Sequence, residues 1–378
     1  MKTKSLFCLC LFSFALMAVL PAQFTITGSI MSGGIERTYR LYVPEIYDAQ
    51  EPVPLVINLH GYGSDSQEQE LYGDFRPIAD TANFLVVHPD GTLDAQNLQY
   101  WNSFGLAAVD DVAFLSELID TLSAAYSIDP DCVYSTGMSN GGFMSYELAC
   151  QLSNRIAAIA SVTGSMTLFG MVSCNALHPT PVMQIHGTED ATVPYEGSFG
   201  VSSIDNLVTY WVEFNNCSLT PTFTAIPDIA TNDGCTAEHY VYNGGNGGST
   251  VELYKILEGD HSWPGAIFNI NTTNMDFDAS TEIWRFFSQY KLDELSTVEA
   301  LPSLSRSIVY PNPAHQHFTL LFQDEGDKMI TVANALGETI MQLACNDASV
   351  DIQLESCGLY IISVSNGKER WMKKVVME

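Results

Sequence analysis

The run Gly137-Met138-Ser139-Asn140-Gly141 fits the pattern G-x-S-x-G. It follows an apolar stretch over 132–136 that reads as a strand, and it leads into a stretch over 142–152 that reads as a helix. A strand that turns this sharply into a helix accepts only glycine on either side of the serine. The turn lifts the serine hydroxyl to the carboxyl end of a sheet and to a helix N-terminus, where the helix dipole favours developing negative charge. Such a serine becomes a nucleophile only with a base beside it, and the base needs a carboxylate to orient it. The chain order expected for this arrangement is serine, then Asp or Glu, then histidine.

A strand over 182–186 runs into Gly187-Thr188-Glu189-Asp190 at the edge of the sheet where an acid is required. Asp190 is the assigned acid, because Ala191-Thr192-Val193-Pro194 presents a turn around it; Glu189 is the competitor. Chain order excludes His60, His88, His178 and His186 as the base. His239 lies inside a strand, and His315 and His317 lie in a later region. His261 sits in a loop over 258–265 directly after a strand, and is the assigned base. Asp260 is no orienting acid, since an adjacent side chain points away from the imidazole. Two backbone donors must meet the oxyanion: the N–H of Asn140, and the N–H of Tyr62 in the turn His60-Gly61-Tyr62-Gly63. His60 is expected to hold that turn by hydrogen bonding. The aromatic stretch Tyr100-Trp101-Asn102-Ser103-Phe104, with Trp101 foremost, and Trp263 beside the base are candidate walls of an acyl or aryl pocket, with packing as their competing role.

These residues need a scaffold. Strands are read over 24–31, 37–43, 54–60, 84–88, 132–136, 156–162, 182–186 and 251–257. Helices are read over 110–126, 142–152, 203–215 and 278–290. Apolar strands alternating with helices give an α/β class, a mainly parallel sheet covered on both faces. A Leu-Pro and Ser-rich seam over 292–307 lacks periodicity, and after it the period becomes two. Short strands over 318–322, 329–333, 339–343, 350–354 and 359–364 then read as a small all-β sandwich. The expected organisation is a signal peptide over 1–22, an α/β domain over 24–295 and a β-sandwich over 296–378. The charge split agrees: 34 acidic against 7 basic residues over 24–295, and 10 against 6 over 296–378.

Of 378 residues, 46% are hydrophobic and 16% charged, which excludes a disordered chain. A net charge of −29 excludes nucleic acid and anionic lipid as partners. Lys2 and Lys4, an apolar run over 6–20 and Pro21-Ala22-Gln23 read as a secretory signal peptide, the run being short against the roughly 20 residues a span needs. No later segment is expected to span a bilayer. Export makes disulfides expected among the seven remaining cysteines. The local pairs are Cys150 with Cys174, Cys217 with Cys235 and Cys345 with Cys357, leaving Cys132 as a buried thiol. No C-x-x-C pattern occurs, so neither metal nor cofactor is expected.

The runs over 55–63, 109–115, 128–130, 137–142 and 186–190, with His261-Ser262-Trp263-Pro264-Gly265, resemble the esterase family that groups polyhydroxybutyrate depolymerases with feruloyl and acetyl-xylan esterases. The resemblance covers about 35–290. It implies an α/β-hydrolase fold, a triad of Ser139, Asp190 and His261, and ester hydrolysis. Asp260 departs from the glycine expected before the histidine. The run Tyr310-Pro311-Asn312-Pro313-Ala314, with Gly358-Leu359-Tyr360-Ile361-Ile362 and Lys373-Lys374-Val375-Val376, resembles the C-terminal sorting domain of the type IX secretion system. That implies outer-membrane export machinery as a partner and a secreted or cell-surface location. The reading is a secreted serine esterase on feruloyl or acetyl esters of plant polysaccharide. A polyester depolymerase is the alternative, and a non-catalytic surface-binding protein is the rival of another class.

Overall fold

A computed structural model describes residues 24–268, 271–295, 304 and 307–378. The expected signal peptide over 1–22 lies outside the described residues, as does most of the seam.

The chain opens with β1 (Phe24–Ser32) and β2 (Ile35–Val43), an antiparallel pair. Then follow β3 (Val53–Leu59), α1 (Ser66–Tyr72), α2 (Arg76–Ala82) and β4 (Leu85–Pro89). A two-residue ribbon, β5 (Thr92–Leu93) with β6 (Gln99–Tyr100), precedes α3 (Asp111–Ala125), β7 (Ile128–Met138) and α4 (Asn140–Gln151). The domain continues through β8 (Ala158–Val162), α5 (Leu168–Ser173), β9 (Val182–Gly187) and α6 (Ile204–Phe214). It closes with β10 (Thr222–Ala225), β11 (Thr236–Tyr242), β12 (Val251–Leu257) and α7 (Ala279–Phe287).

Ten strands form one sheet in the order β1-β2-β4-β3-β7-β8-β9-β12-β11-β10. The central run from β4 to β12 is parallel, and antiparallel strands extend both ends. β4, β8 and β9 are buried along their whole length, which is why their sequences are largely apolar. Successive side chains of each strand feed opposite cores. Leu55, Ile57 and Leu59 of β3 join α3, α4 and α6 on one face, while Val56 joins α2 and α7 on the other.

The C-terminal domain pairs two antiparallel sheets around their own core. β13 (Ile308–Tyr310), β14 (His317–Leu321) and β17 (Ser349–Gln353) form one, in the order β13-β14-β17. β15 (Lys328–Asn334), β16 (Thr339–Cys345), β18 (Gly358–Ser365) and β19 (Arg370–Met377) form the other, in the order β16-β15-β18-β19. Phe318, Leu320, Ile330, Val332, Ile362 and Val364 fill the space between them. Among the described residues, no helix is long and apolar enough to cross a membrane.

The cysteines correct the sequence reading in two places. Cys150 and Cys174 are joined, tying the last turn of α4 to the end of α5. Cys217 and Cys235 are not joined: Cys217 packs in one core and Cys235 in the other, on opposite faces of the sheet. Cys345 and Cys357 are not joined either. Cys345 pairs with Lys328 at one end of β15, whereas Cys357 precedes β18, whose Tyr360 pairs with Asn334 at the other end. A seven-residue strand at roughly 3.3 Å per residue separates them.

Two buried histidines make this fold acid-sensitive. Burial lowers His88 to about 3 and His186 to about 4. In the unfolded chain both charge near 6.5, so below that pH the unfolded state binds more protons and stability falls. The melting temperature is therefore expected to drop steadily from pH 7 to pH 4. Thermal melts followed by circular dichroism check this, with a shallower decline expected for His88→Leu.

Candidate active site

Ser139 stands between the end of β7 and the start of α4, with φ of 53° and ψ of −117°. A positive φ in a residue with a side chain is strained, and surrounding packing must impose it. The neighbours supply that packing. A Cβ at Gly137 would lie 2.5 Å from the Leu59 carbonyl oxygen, and one at Gly141 would lie 2.1 Å from it. Both positions therefore require glycine. The Ser139 N–H donates to Val162 O at 2.8 Å, and Phe143 N–H donates to Ser139 O at 3.0 Å, pinning the turn at both ends.

The loop after β9 delivers the acid. Asp190 is buried; its Oδ1 accepts from the N–H groups of Thr192 (2.9 Å) and Val193 (2.8 Å). Its Oδ2 accepts from His261 Nδ1 at 2.7 Å, which leaves Nε2 as the ring nitrogen available for proton transfer. Asp260 does not reach the ring; its Oδ1 accepts from the His261 N–H at 2.7 Å and sets the loop after β12. Glu189 is exposed, and its N–H donates to Gly259 O at 2.9 Å.

Asp190 has a second neighbour that sequence order set aside. His186 Nε2 lies 3.4 Å from Asp190 Oδ2 and donates to Val193 O at 2.8 Å. His186 Nδ1 accepts from Gln184 Nε2 at 3.0 Å, and Gln184 Oε1 accepts from the Tyr146 hydroxyl at 2.7 Å. Burial keeps His186 uncharged, so this chain fixes the acid's loop without adding a competing base. The visible signal was two polar residues, Gln184 and His186, within an otherwise apolar strand.

The oxyanion candidates flank the serine. The Asn140 N–H belongs to the first turn of α4, where no intrahelical acceptor precedes it. In the loop after β3, Gly61 N–H points to the Tyr72 hydroxyl at 3.5 Å and Gly63 N–H donates to Gln99 O at 2.8 Å. Tyr62 N–H lies between them. His60 holds this loop: its Nδ1–H donates to Gly61 O at 2.7 Å and its Nε2 accepts from Gly91 N–H at 2.9 Å. The Asn140 side chain has its own work. Its Oδ1 accepts from Trp101 N–H at 2.6 Å, and its Nδ2 donates to Trp101 O at 3.0 Å and Ser103 Oγ at 2.9 Å.

Trp101 and Trp263 border the cavities at Ser139 but are 1% and 2% exposed. Each is also packed in the interior. Trp101 stacks on Phe114 and donates its ring N–H to His60 O at 3.0 Å; Trp263 packs against Phe75 and donates to Ser280 Oγ at 3.2 Å. More exposed neighbours complete the surface a ligand meets. A cleft of about 560 Å³ beside Ser139 is bordered by Tyr62, Tyr100, Phe104, Leu106, Phe143 and Val193. A second cavity of about 210 Å³ includes both Ser139 and His261. Among the described residues, no group of three His, Cys, Asp or Glu side chains is arranged to hold a metal ion.

Known proteins share these features. The phospholipase/carboxylesterase family matches residues 44–220, and the secretion system C-terminal sorting domain matches residues 308–378. A bifunctional acetylxylan esterase/xylanase of Neocallimastix patriciarum is 28% identical over 69% of this chain and 34% of its own length. A putative esterase of Nocardia uniformis is 30% identical over 46% of this chain and 51% of its own. Feruloyl esterase D of Neurospora crassa is 28% identical over 70% of this chain and 86% of its own. The chain thus spans about a third and about half of the first two relatives, and most of the third. The first domain has the α/β-hydrolase fold and resembles these esterases, and the last resembles a secretion system sorting domain.

Asp190→Asn should lower kcat on any ester by about 10⁴, because the imidazole loses the partner that sets its tautomer. Glu189→Gln should change kcat less than twofold, since its side chain is directed to solvent. Steady-state kinetics of the two variants side by side check the assignment.

Proposed function

We propose that this chain is a secreted serine ester hydrolase that works through an acyl-enzyme. The observation that carries it is Ser139 in a strained turn, opening on one cavity with a histidine whose other nitrogen is bonded to a buried carboxylate. On this reading His261 Nε2 removes the Ser139 proton as Oγ adds to the ester carbonyl. The oxyanion takes hydrogen bonds from the N–H groups of Asn140 and Tyr62. His261 then gives the proton to the leaving alcohol oxygen as the C–O bond breaks. Water, deprotonated by the same imidazole, adds to the acyl-enzyme and releases the acid and free Ser139.

The proposed substrates are acyl esters of plant polysaccharide. The acetylxylan and feruloyl esterases among the relatives support this class. The cleft supports an aryl acyl group within it: about 560 Å³ bordered by Tyr100, Phe104 and Phe143 is more room than an acetyl group fills. A polyester is the second reading, favoured by Leu106, which borders the cleft and is 90% exposed. Turnover of methyl ferulate, acetylated xylan, polyhydroxybutyrate and aromatic polyester film separates the two. Ser139→Ala should abolish turnover and covalent labelling by a fluorophosphonate while leaving the circular dichroism spectrum unchanged; undiminished turnover would sink the mechanism.

The C-terminal domain is proposed to be read by an outer-membrane export machine. Every proposed site residue lies between Tyr62 and His261, and the sandwich has its own core. A fragment ending near Leu295 should therefore fold and keep its specific activity, while in the native host the truncated chain should stay inside the outer membrane. Assay of the 24–295 fragment and cell fractionation check the two halves; an inactive fragment would mean that the sandwich completes the catalytic core.

A further inference from the structure

The two cavities at Ser139 are not equivalent. Both include Ser139, but His261 borders only the smaller one. In the proposed reaction the imidazole must hand its proton to the leaving oxygen, so the alcohol has to lie on the imidazole's side of the serine. The larger cleft then receives the acyl group, and the smaller cavity receives the alcohol.

The smaller cavity has two kinds of wall. One is polar: Glu68 Oε2 accepts from the Ser64 hydroxyl at 2.8 Å, and Ser64 Oγ lies 3.3 Å from the Tyr72 hydroxyl. Burial raises Tyr72 to about 12, so this hydroxyl keeps its proton at neutral pH. The other wall is apolar, with Met138, Trp263 and the half-exposed ring of Phe268. A sugar ring has the matching pair of surfaces, a rim of hydroxyls and a face of C–H bonds. A simple alkyl or aryl alcohol would use only the apolar wall and make no contact with the carboxylate–hydroxyl row.

We infer that the cavity holding His261 is the alcohol subsite, and that Ser64, Glu68 and Tyr72 recognise a hydroxylated leaving group, a sugar, there. The inference rests on the ester-hydrolase reading and adds residues that choose the alcohol. Glu68 is exposed and carries the acceptor oxygens, so it is the residue to test first. Its backbone helps start α1, but that role belongs to the N–H bonded to Asp65 Oδ1 at 2.9 Å, which substitution of the side chain retains.

The experiment compares two esters of one acid, methyl ferulate and a feruloylated arabinose oligosaccharide, in the full chain, Glu68→Ala and Ser64→Ala. The ratio of kcat/KM for the sugar ester to that for the methyl ester should fall about tenfold or more in Glu68→Ala, the scale expected for hydrogen bonds to a charged acceptor. Ser64→Ala should lower the same ratio by a smaller factor. Inhibition of the full chain by the free oligosaccharide should weaken in parallel. A ratio unchanged in both variants, or equal losses on both esters, overturns the subsite and leaves ester hydrolysis standing. Failure of the full chain to hydrolyse either ester overturns the parent reading and the subsite with it. Glu68→Gln, which keeps the shape and removes the charge, guards against misfolding of the alanine variants and should give an intermediate ratio.

Discussion

The backbone of the nucleophile turn lies against the carbonyl of Leu59, and the rest of the site depends on that approach. There is no room for a side chain at Gly137 or Gly141 while β3 and β7 remain paired up to Leu59 and Gly137. The positive φ of Ser139 follows from this crowding. Because the crowding partner is the end of β3, the same contact brings the loop after β3 beside the serine. One packing constraint therefore places the nucleophile and the proposed donor of Tyr62 together. The acid and base come from the ends of β9 and β12, which are paired in parallel, so Asp190 and His261 leave the sheet at the same edge. Parallel pairing is what turns distant sequence positions into neighbours, since every parallel strand releases its loop on one side.

Much of this was legible in the sequence because the constraints are local. The turn around Ser139 needs glycine at fixed offsets, and the buried strands must be apolar on both faces. The β1-β2 end of the sheet and the long helices carried periodic signals, whereas β10 and β11 at the other end were not read as bounded strands. What escaped was short or dependent on partners. α1, α2 and α5 have six or seven residues, too few for a helical period to show. β19 carries the run Lys373-Lys374-Val375-Val376 but no strand is read there; pairing with β18 buries alternate side chains near its end, Val375 and Met377. Two of the three cysteine pairs failed because sequence proximity ignores which face of a sheet, or which end of a strand, a residue serves. Trp101 and Trp263 border the cavities at the serine, and their ring N–H groups are satisfied inside the protein, so each packs as well as lining a cavity.

The buried polar groups explain how loops hold a precise site. Arg37 and Asp111 form a buried pair at 2.7 Å, with the guanidinium 3.9 Å above the Phe114 ring. Asp111 Oδ2 accepts from Asn102 N–H at 2.7 Å, and Asn102 in turn bonds Ala107 and Val109. The loop that borders the larger cleft is thereby tied to the head of α3. His60 does the same for the loop after β3, and His186 for the loop after β9. Each of these groups would be costly to bury alone and is retained with its partners. The result is a rim whose backbone is set by the core, so that exposed side chains such as Leu106 and Phe268 vary the surface without moving the serine.

The charge of the chain bears on the same reaction from a distance. The α/β domain carries the great majority of the acidic excess, and its field repels anions at low ionic strength. A neutral ester approaches without hindrance. Hydrolysis converts it to a carboxylate within a cleft whose borders include Asp94 and no basic residue. The electrostatic free energy of the bound ligand therefore rises only after the bond is cut, when the product gains charge. That difference favours release of the acid over its retention, and salt weakens it through screening. A polysaccharide with free uronic acids would meet the same repulsion before reaction, so the field also selects against acidic chains close to the ester. On the proposed cycle, the acidity that argues against nucleic acid and anionic lipid would favour both entry of a neutral substrate and release of a charged product.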